Sequence, residues 1–543
     1  MQNGILRNLE KGLLGPRKRV KNRILRISWS KNSILKRMKI FGRKGKLFLT
    51  TGIALCASQA LASETSAFIG TKISAGFYGA PKASVFATDT VDHFSSSWLA
   101  LQIPLETGRQ YEQTIEPFFS LFIGGTYEDF SVYFDFPLRK DIEAWYEDDL
   151  STNTTIVPDN LDINVPTNAY AKWDYGVGFV QAGRFKPELG PSPNSLTLGG
   201  APYHDAFLWK FCPGFLRYDF FLSSLNAHLH GTPDVVGGKV DSTTEVWKQA
   251  NLQIDNQRKR QYTDPYKTLV YHRLGVDFKH FWFYVIEQSV IGGKQVEFRT
   301  LNPFMFWHNN YATGYTKSNA TLELGLRPNR LANFYYQLAI DEVKSPVGET
   351  GENSNRGITS HMVGYNQQVK TERYGDFNFR LDAVLTDPAA GNERLPLLKY
   401  TSRRMYRSNY RDQSDADFAD MFFVDYPLGY RRGPDAKDLW FTVDWLYGRH
   451  SLALELAWLR QGDKDLTTDY DVALQSKRTL SGIVERQYVA DLTYGIVLWK
   501  GFAAKLGGGI RRYKNLDHIS GENGYDLWGI AGISWDFRYK KIF

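Results

Sequence analysis

Apolar and polar residues alternate along the last stretch of the chain, residues 525–543 (YDLWGIAGISWDFRYKKIF). The odd positions from Tyr525 to Tyr539 are aromatic, aliphatic or small, whereas the positions between them include Asp526, Asp536 and Arg538. A period of two predicts a β-strand with one apolar and one polar face. In a soluble sandwich the apolar face would meet a core, whereas in a membrane barrel it would meet lipid while the polar face lines the lumen.

The same alternation recurs along the chain and favours the barrel. Residues 438–448 and 451–462 form a predicted hairpin, and residues 488–499 and 502–513 form a second one. The turns within these hairpins are short, whereas the connections between hairpins are long and polar, which is typical of outer-membrane barrels. A soluble sandwich is a poor alternative because strand after strand carries an ionisable residue on its second face.

We therefore predict an all-β fold, a transmembrane antiparallel β-barrel of the outer membrane with about 14–18 strands. Long polar connections predict a lumen that is partly plugged by loops. Residues 171–185 are predicted as one strand, with Trp173 and Phe179 facing outward and Asp174 and Arg184 facing inward. The longest segments predicted to lie outside strands are 141–168, 186–205, 232–264, 343–358 and 388–436.

The chain begins with a segment that does not fit the barrel pattern. Residues 1–46 carry 15 Lys or Arg and one acid, and an apolar run follows that ends on Ala60-Leu61-Ala62. This is the pattern of a secretory signal peptide with a small-residue cleavage site. We predict that residues 1–62 are a basic extension and signal peptide, with Met38 as the true start, and that residues 63–543 form the barrel.

Removing that leader reverses the apparent charge of the protein. The whole chain has a net charge of +8, but residues 63–543 hold 57 acidic and 51 basic side chains, a net charge of −6. No nucleic-acid partner is therefore predicted. Cys212 is the one cysteine of this part, so we predict neither an internal disulfide nor a metal site built on it. No cofactor is predicted.

Ionisable residues recur on the polar phase of the predicted strands. Four of them, from separate strands, are predicted to form one lumenal network: Arg184, Arg273, Glu287 and Asp341. Such a network would either brace a loop inside the barrel or line a ligand track.

Aromatic, amide and arginine residues cluster in the predicted loops. These types suit polysaccharides or lipopolysaccharide phosphates, because guanidinium groups pair with anions. The alternative is an aromatic girdle with arginines that extend to the membrane surface. The predicted extracellular binding residues are Trp145, Tyr146, Trp307, His308, Asn309, Tyr311, Arg403, Arg404, Tyr406 and Arg407.

Four motifs follow one another in an order that resembles a known family. They are AGRFKPELGPSPNSLTLGG (182–200), YHRLGVDF with FWFYVIEQSVIGG (271–293), LNPFMFW (301–307) and FYYQLAIDE (334–342). This order resembles the capsule-assembly (Wzi-type) family of outer-membrane proteins. The resemblance implies a barrel of about 18 strands that acts as a lectin and holds exopolysaccharide at the cell surface. No segment after the predicted signal peptide resembles the small helical region expected of that family.

The resemblance implies a protein that binds surface exopolysaccharide or assists capsule assembly, and not an enzyme. A diffusion porin for small solutes and an outer-membrane hydrolase remain as alternatives, although no hydrolase motif is evident. The expected partners are exopolysaccharide or lipopolysaccharide and outer-membrane lipid. Phe543 with Trp535 and Phe537 resembles the signal that the barrel-assembly machinery reads during insertion. We expect a monomer in the bacterial outer membrane.

Overall fold

The structure is a computed structural model. It describes residues 65–79, 101–102, 105–146, 150–155, 161–162, 166–199, 201–225, 235–236, 239–240, 266–293, 297–298, 301–304, 316–342, 357–393, 396–407, 421–468, 470–476 and 479–542. The predicted leader, residues 1–62, lies outside the described residues.

Eighteen strands of the described chain form one continuous wall. They are β1 Ser66–Gly79, β2 Phe119–Tyr127, β3 Phe130–Lys140, β4 Ala169–Asp174, β5 Gly178–Phe185, β6 His204–Phe211, β7 Leu216–Leu225, β8 Lys267–Asp277, β9 Phe281–Gly292, β10 Thr316–Asn329, β11 Ala332–Glu342, β12 Ile358–Thr371, β13 Gly375–Leu385, β14 Lys437–Tyr447, β15 His450–Gln461, β16 Glu485–Trp499, β17 Phe502–Lys514 and β18 Asn523–Ile542.

Shorter elements accompany the wall. The helices are α1 Leu105–Thr114, α2 Ile142–Tyr146 and α3 Tyr470–Gln475, with 3-10 turns at Pro396–Leu398 and Leu516–His518. The short strands are Leu101–Gln102, Leu150–Thr152, Leu161–Asp162, Val235–Val236, Lys239–Val240, Thr401–Arg407 and Met421–Pro427.

Pairing of the first and last wall strands closes the barrel. β1 pairs antiparallel with β18 from Ser66↔Ile542 to Gly79↔Gly529, and with β2 on its other side. Each remaining wall strand pairs antiparallel with its neighbours in the chain. Closure satisfies the backbone hydrogen bonds that lipid cannot satisfy. The predicted transmembrane antiparallel barrel is confirmed, and its eighteen strands lie within the predicted number.

The outer surface carries the apolar phase of the strands. In β18, Trp535, Phe537 and Tyr539 keep 50%, 55% and 58% of their surface exposed, as the alternation at the end of the chain predicts. Exposed apolar side chains on the outside of a barrel are stable when lipid surrounds it. These residues therefore form the membrane-facing band. No helix in the described ranges is long and apolar enough to cross a membrane.

Short turns and long connections lie at opposite ends, as predicted. Turn 448–449 joins the two strands of the first predicted hairpin, and turn 500–501 joins those of the second. The connections 386–436 and 462–484 lie at the other end of the barrel. Outer-membrane barrels have short periplasmic turns and longer extracellular loops, which assigns the two ends.

The prediction of one strand over residues 171–185 is wrong. The chain turns at residues 175–177, where Gly176 has a φ of +87°, and β4 and β5 pair with Trp173 opposite Val180. Because the turn reverses the chain, the inward and outward phases exchange. Trp173 faces outward as predicted, but Phe179 faces the lumen, with Lys172 Nζ 4.2 Å from its ring centre.

Segments from the extracellular end fill the upper lumen, so the predicted partial plug is confirmed. Thr401–Arg407 and Met421–Pro427 form an antiparallel inner hairpin, and α1 packs against it. Residues 186–199 and the flanks of the inner hairpin supply Leu189, Leu198, Tyr400 and Tyr430 to a core shared with the wall. Burial of these apolar side chains against inward wall residues holds the plug in place.

Candidate functional site

A hollow of about 360 Å³ lies inside the barrel, against the periplasmic half of β8–β13; we call it the lumenal pocket. Gln368 is exposed there and Arg327 keeps 30% of its side-chain surface, so water reaches the pocket from the periplasmic end. The pocket is lined by Gly190, Pro191, Arg273, Trp282, Tyr284, Glu323, Arg327, Asn333, Tyr335, Asn366, Gln368, Asn378 and Arg380.

Three aromatic side chains form its apolar surface, and each is fixed by a hydrogen bond from its polar edge. Trp282 Nε1 donates to Glu323 Oε1 over 2.9 Å. The Tyr284 hydroxyl donates to Asp277 Oδ2 over 3.2 Å, and the Tyr335 hydroxyl donates to Asp382 Oδ1 over 2.6 Å. Rings held in this way have little conformational freedom left to lose on binding.

Two glycines make room for these rings on neighbouring strands. A Cβ at Gly325 would lie 2.0 Å from Trp282 Cζ2, and a Cβ at Gly364 would lie 2.1 Å from Tyr335 Cε2. Any side chain at either position would displace a ring, so the two glycines define the shape of the pocket.

Arginines supply positive charge beside the rings. Arg327 lies 4.3 Å from the Trp282 ring centre and donates to Asp277. Arg273 lies 4.7 Å from the Tyr284 ring centre and forms an ion pair with Asp219. Nε of Arg380 is buried without a hydrogen-bond partner within the described part of the chain. Arg380 also lines the pocket.

Amide side chains complete the lining on β11–β13. Asn366 Nδ2 donates to Asn378 Oδ1 over 2.8 Å, and Asn333 and Gln368 lie beside them. Amides both donate and accept hydrogen bonds, as sugar hydroxyls do. Fixed aromatic faces with convergent polar groups are the usual lining of a small-molecule site.

Residues 186–199 lie over the extracellular side of the pocket and form its roof. A buried carboxylate anchors this roof to the wall. Asp382 accepts hydrogen bonds from the Ser192 hydroxyl (2.5 Å) and from Asn194 Nδ2 (2.8 Å). The backbone N–H of Leu196 donates to Gln337 Oε1 over 2.8 Å. These bonds hold residues 186–199 across the lumen, so the pocket is separated from the extracellular end.

Above the roof, charged side chains of the plug pair with one another. Glu112 of α1 forms ion pairs with Arg404 of the inner hairpin and, over 3.1 Å, with Arg139 of the wall. Burial alone would raise the pKa of Glu112, but Arg404 and Arg139 outweigh it and lower that pKa below its ordinary value. Burial likewise opposes ionisation of Glu106, yet Arg109 and Arg511 lower its pKa to about 2. Both carboxylates are therefore ionised at neutral pH.

The four predicted lumenal charges do not form one network. Arg273 faces the lumenal pocket, and Asp341 faces the lumen beside Lys317 Nζ, at 3.4 Å. Arg184 lies on the outward phase of β5, because the turn at residues 175–177 reverses the phase. It pairs there with Asp205, with two N–O distances of 2.8 Å.

Glu287 was also predicted to face the lumen, and that prediction is wrong. It follows the outward phase of Phe283 and Val285, which keep 40% and 46% of their surface exposed. It lies directly opposite His272 of β8, whose ring packs 5.2 Å from Phe220. Apolar residues occupy both faces of β9 in this stretch, so the alternation that would reveal the phase is absent from the sequence.

The predicted extracellular arginine cluster lies inside the barrel. Arg404 and Tyr406 belong to the inner hairpin and keep 5% and 1% of their surface exposed, so they are not on an open loop. Arg403 pairs with Asp425 of the same hairpin, with two N–O distances of 2.9 Å. Arg407 ends the first strand of that hairpin. The second strand of the hairpin, MFFVDYP, is mostly apolar, and its Val424 and Tyr426 are buried in the core of the plug.

The remaining predicted loop residues are only partly described. Trp145 lies in α2, half-buried, with its ring centre 6.0 Å from that of Tyr111. Tyr146 is the last residue of α2. Trp307, His308, Asn309 and Tyr311 lie outside the described residues, so their predicted role stays a prediction.

Of the residues that line the lumenal pocket, the sequence pointed to Arg273 alone as a ligand-binding residue. Trp282, Tyr284 and Tyr335 look like membrane-facing aromatics in a linear reading. The signal that reveals them is the run FWFYV (281–285), where aromatic residues occupy both phases of one strand. An aromatic on the lumenal phase has no lipid to meet and must face the plug or a ligand. No group of His, Cys, Asp and Glu within the described ranges has a metal-binding arrangement.

Comparisons with known proteins leave the family open. No family model matches the chain, and no curated protein matches it. Among solved structures, Wzi of Escherichia coli, described as a carbohydrate-binding β-barrel involved in group 1 capsule assembly, aligns with a TM-score of 0.45 and 11% identity over 92% of this chain and 91% of that chain. OprD of Pseudomonas aeruginosa aligns with a TM-score of 0.38 and 8% identity over 88% and 98% of the two chains. OccAB4 of Acinetobacter baumannii aligns with a TM-score of 0.37 and 9% identity over 89% and 100%. This chain is an outer-membrane β-barrel, and these likenesses single out no one family within that class.

Proposed function

We propose that this outer-membrane β-barrel is a carbohydrate-binding protein that takes part in handling or anchoring exopolysaccharide, and that the lumenal pocket holds a segment of the glycan. The observation that carries the proposal is the combination of a filled upper lumen with a water-accessible pocket of aromatic, amide and arginine side chains below it. The order of the four sequence motifs that resemble the capsule-assembly family supports the same function.

The chemistry of the pocket fits a sugar ring or two. Trp282 and Tyr284, which line the hollow, would contact the apolar C–H groups of the sugar. The amides of Asn333, Asn366 and Asn378 would exchange hydrogen bonds with its hydroxyls. Arg380, whose Nε has no partner among the described residues, would pair with an acidic substituent.

The proposal gives each partner a defined place. The protein would act as a monomer in the bacterial outer membrane after export through its signal peptide, with insertion by the barrel-assembly machinery. The polymer outside the cell would be contacted by the predicted loop residues Trp307, His308, Asn309 and Tyr311. Inside the lumen, the plug would be braced by Arg403, Arg404 and Tyr406, which changes the role that the sequence suggested for them.

A porin for small solutes is the second candidate, since three arginines line the pocket and would attract small anions. The plug weighs against it, because its described segments pack across the upper lumen and narrow the path for solutes. A hydrolase remains a third candidate, without a motif in its favour.

The test combines retention of the glycan with conductance. Fragments of the host's own surface polysaccharide are titrated into the refolded barrel, and the products are analysed by size. Replacing Trp282→Ala is expected to weaken binding about tenfold or more, because one stacking platform is lost. Trp173→Ala removes an outward-facing tryptophan of similar strand position and is the matched control, with no change in affinity expected.

Each alternative has its own signature in that experiment. Large, steady conductance of the unmodified barrel in a planar bilayer, indifferent to the glycan, would identify a porin and overturn the proposal. Recovery of shortened glycan would identify a hydrolase. Retention of intact glycan by a silent barrel, lost in the Trp282 variant and kept in the Trp173 variant, supports the proposal.

A further inference from the structure

Four basic side chains lie side by side on the outer face of the barrel, at its extracellular rim. They are Lys437 of β14, Arg460 of β15, Arg486 of β16 and Lys514 of β17, here called the outer basic row. Register places Arg460 directly opposite Arg486, and Arg486 directly opposite Lys514. Arg460 Nε lies 3.4 Å from the Lys437 carbonyl oxygen, which places those two side by side as well.

The direction of these side chains follows from their neighbours on the same strands. Leu439, Trp458, Tyr488 and Ile510 keep 40%, 42%, 41% and 45% of their surface exposed on the membrane-facing phase. Each member of the outer basic row lies two or four residues from one of them, hence on the same phase. The row therefore faces outward, just beyond the membrane band.

The next register row toward the membrane includes four aromatic residues, Tyr336, Trp458, Tyr488 and Tyr525. Trp458 lies opposite Tyr488, and Arg512 opposite Tyr525, with Tyr336 on the same level opposite Val363. Tryptophan and tyrosine concentrate where headgroups meet acyl chains. The outer basic row is thus two residues along each strand beyond these aromatic residues, at the level of the headgroups.

No ion pair among the described residues involves any of the four basic side chains. The nearby acids have other partners: Asp463 pairs with Lys464, and Glu485 accepts from Gln487 and from the backbone N–H of Asp517. Like charges directly opposite each other on neighbouring strands destabilise a sheet. A row of four such cations, kept without a protein counter-charge, indicates an anion that comes from outside.

A groove beneath one end of the row supplies a place for an acyl chain. Its volume is about 340 Å³, and Val363, Leu439 and Trp458 form its walls while Lys437 and Arg460 stand at its rim. The small side chain of Ala383 lies between the strands that carry Val363 and Leu439 and leaves the depression open. Arg460 stacks over Trp458 at 4.4 Å, which orients its guanidinium at this rim.

We propose that the outer basic row and this groove bind a phosphorylated glycolipid of the outer leaflet, of the lipid A type. The four cations span three interstrand steps, roughly 14 Å. That span suits a headgroup with more than one phosphate, whereas a single glycerophospholipid phosphate reaches about two of them. This site is separate from the lumenal pocket, so it stands or falls independently of the proposed carbohydrate function.

The test is native mass spectrometry of the refolded full barrel in detergent with bisphosphorylated lipid A. The double variant Arg486→Gln/Lys514→Gln is expected to lose at least about tenfold in affinity, since each basic group near a membrane surface contributes to anion attraction. Arg449→Gln/Lys500→Gln removes two exposed charges from the periplasmic turns of the same strands and is the matched control, with no loss expected. Arg486→Lys/Lys514→Arg is expected to retain binding. If the double variant does not refold, Arg486→Gln alone provides the comparison, with a smaller loss.

Three further arms distinguish the source of the anion. Lipid A without its phosphates is expected to bind at least about tenfold more weakly than the phosphorylated form. Equal binding of phosphatidylglycerol, with the same sensitivity to the variants, would overturn the glycolipid assignment in favour of any anionic lipid. Displacement of lipid A by a soluble anionic polysaccharide would also overturn it and make the row a polysaccharide surface. Equal loss in the control variant would overturn the site itself.

Discussion

The two halves of the lumen contain the same kinds of residue in opposite arrangements. In the extracellular half, α1 and the inner hairpin fill the space, and charged groups such as Glu112 and Arg404 pair with each other. In the periplasmic half, wall residues hold one another at the edges but leave a hollow of about 360 Å³, which Trp282 and Tyr284 help to line. Buried ion pairs hold the plug in the upper half of the lumen. In the lower half, unfilled space lined by oriented polar groups forms a candidate binding site.

The difference shows why charge inside a barrel does not by itself indicate a ligand. A buried carboxylate with two arginine partners is satisfied within the protein and has little to offer a solute. Arg380 lines the lumenal pocket, and its Nε has no hydrogen-bond partner among the described residues, so this side chain retains a capacity to bind. The distinction depends on partners from remote parts of the chain.

The largest expected effect comes from removing the plug. Replacing residues 399–428 with a short Gly-Ser linker deletes the inner hairpin and leaves every wall strand in place. Because these residues fill the upper lumen, we expect conductance in a planar bilayer to rise roughly tenfold or more over the unmodified barrel. Single-channel recording measures it, and unchanged conductance would contradict the assignment of the hairpin as the plug.

A matched insertion controls for that deletion. A linker of equal length placed in the extracellular connection 515–522, between β17 and β18, alters a loop outside the plug. It is expected to leave conductance unchanged, so a rise in both variants would point to loosening of the whole barrel.

The strands of the barrel wall could be predicted from the sequence. The contacts that distinguish the plug from the lumenal pocket could not. The alternation in residues 525–543 correctly gives the outward Trp535 and Phe537, because lipid selects side chains locally, residue by residue. Phase is lost where a tight turn is unrecognised, as before Arg184, or where both faces are apolar, as around Glu287.

The plug depends on contacts that no local pattern encodes. Tyr406 and Glu112 are 294 positions apart, yet the Tyr406 hydroxyl donates to the Glu112 carboxylate over 3.0 Å. The sequence of α1 has no strong apolar stripe that would predict a helix. The helix is stabilised instead by contacts with the inner hairpin, which lies far away in the sequence. The pocket residues were likewise visible as aromatics, but not as neighbours.

A single substitution tests the same plug with a smaller change. Glu112→Gln removes the charge that faces Arg404 and Arg139, and leaves two cations buried without their counter-charge. Removing one partner of a buried ion pair costs about 3–5 kcal/mol. We expect faster hydrogen exchange in the inner hairpin and flickering openings in bilayer recordings. Glu372→Gln, in the exposed periplasmic turn 372–374, is the control and should behave as the unmodified protein.

Acidification addresses the same ion pairs without mutation. The pKa of Glu106 is lowered from 4.5 to about 2 in the folded plug, since Arg109 and Arg511 outweigh the burial that opposes ionisation. A lowered pKa contributes stability that is complete above the ordinary pKa and is lost as pH falls toward the folded value. We therefore expect conductance to stay constant from pH 7 to pH 5 and openings to appear as pH falls from about 4 toward 2. Openings on raising the pH through 7 would contradict this assignment.

The smallest effect is expected from a change at the boundary between the two halves. Tyr335→Phe keeps the ring that faces the lumenal pocket but removes the hydroxyl that donates to Asp382 over 2.6 Å. Asp382 retains Ser192 and Asn194 as donors, so the roof stays anchored and the buried carboxylate stays satisfied. We expect the free energy of unfolding to fall by about 1.5–3 kcal/mol, as for one hydrogen bond to a charged group. Affinity for the glycan should change less than about threefold, because the stacking surface is intact. A loss as large as that of Trp282→Ala would mean that the hydrogen bond between Tyr335 and Asp382, which fixes the ring and the loop 186–199, determines binding.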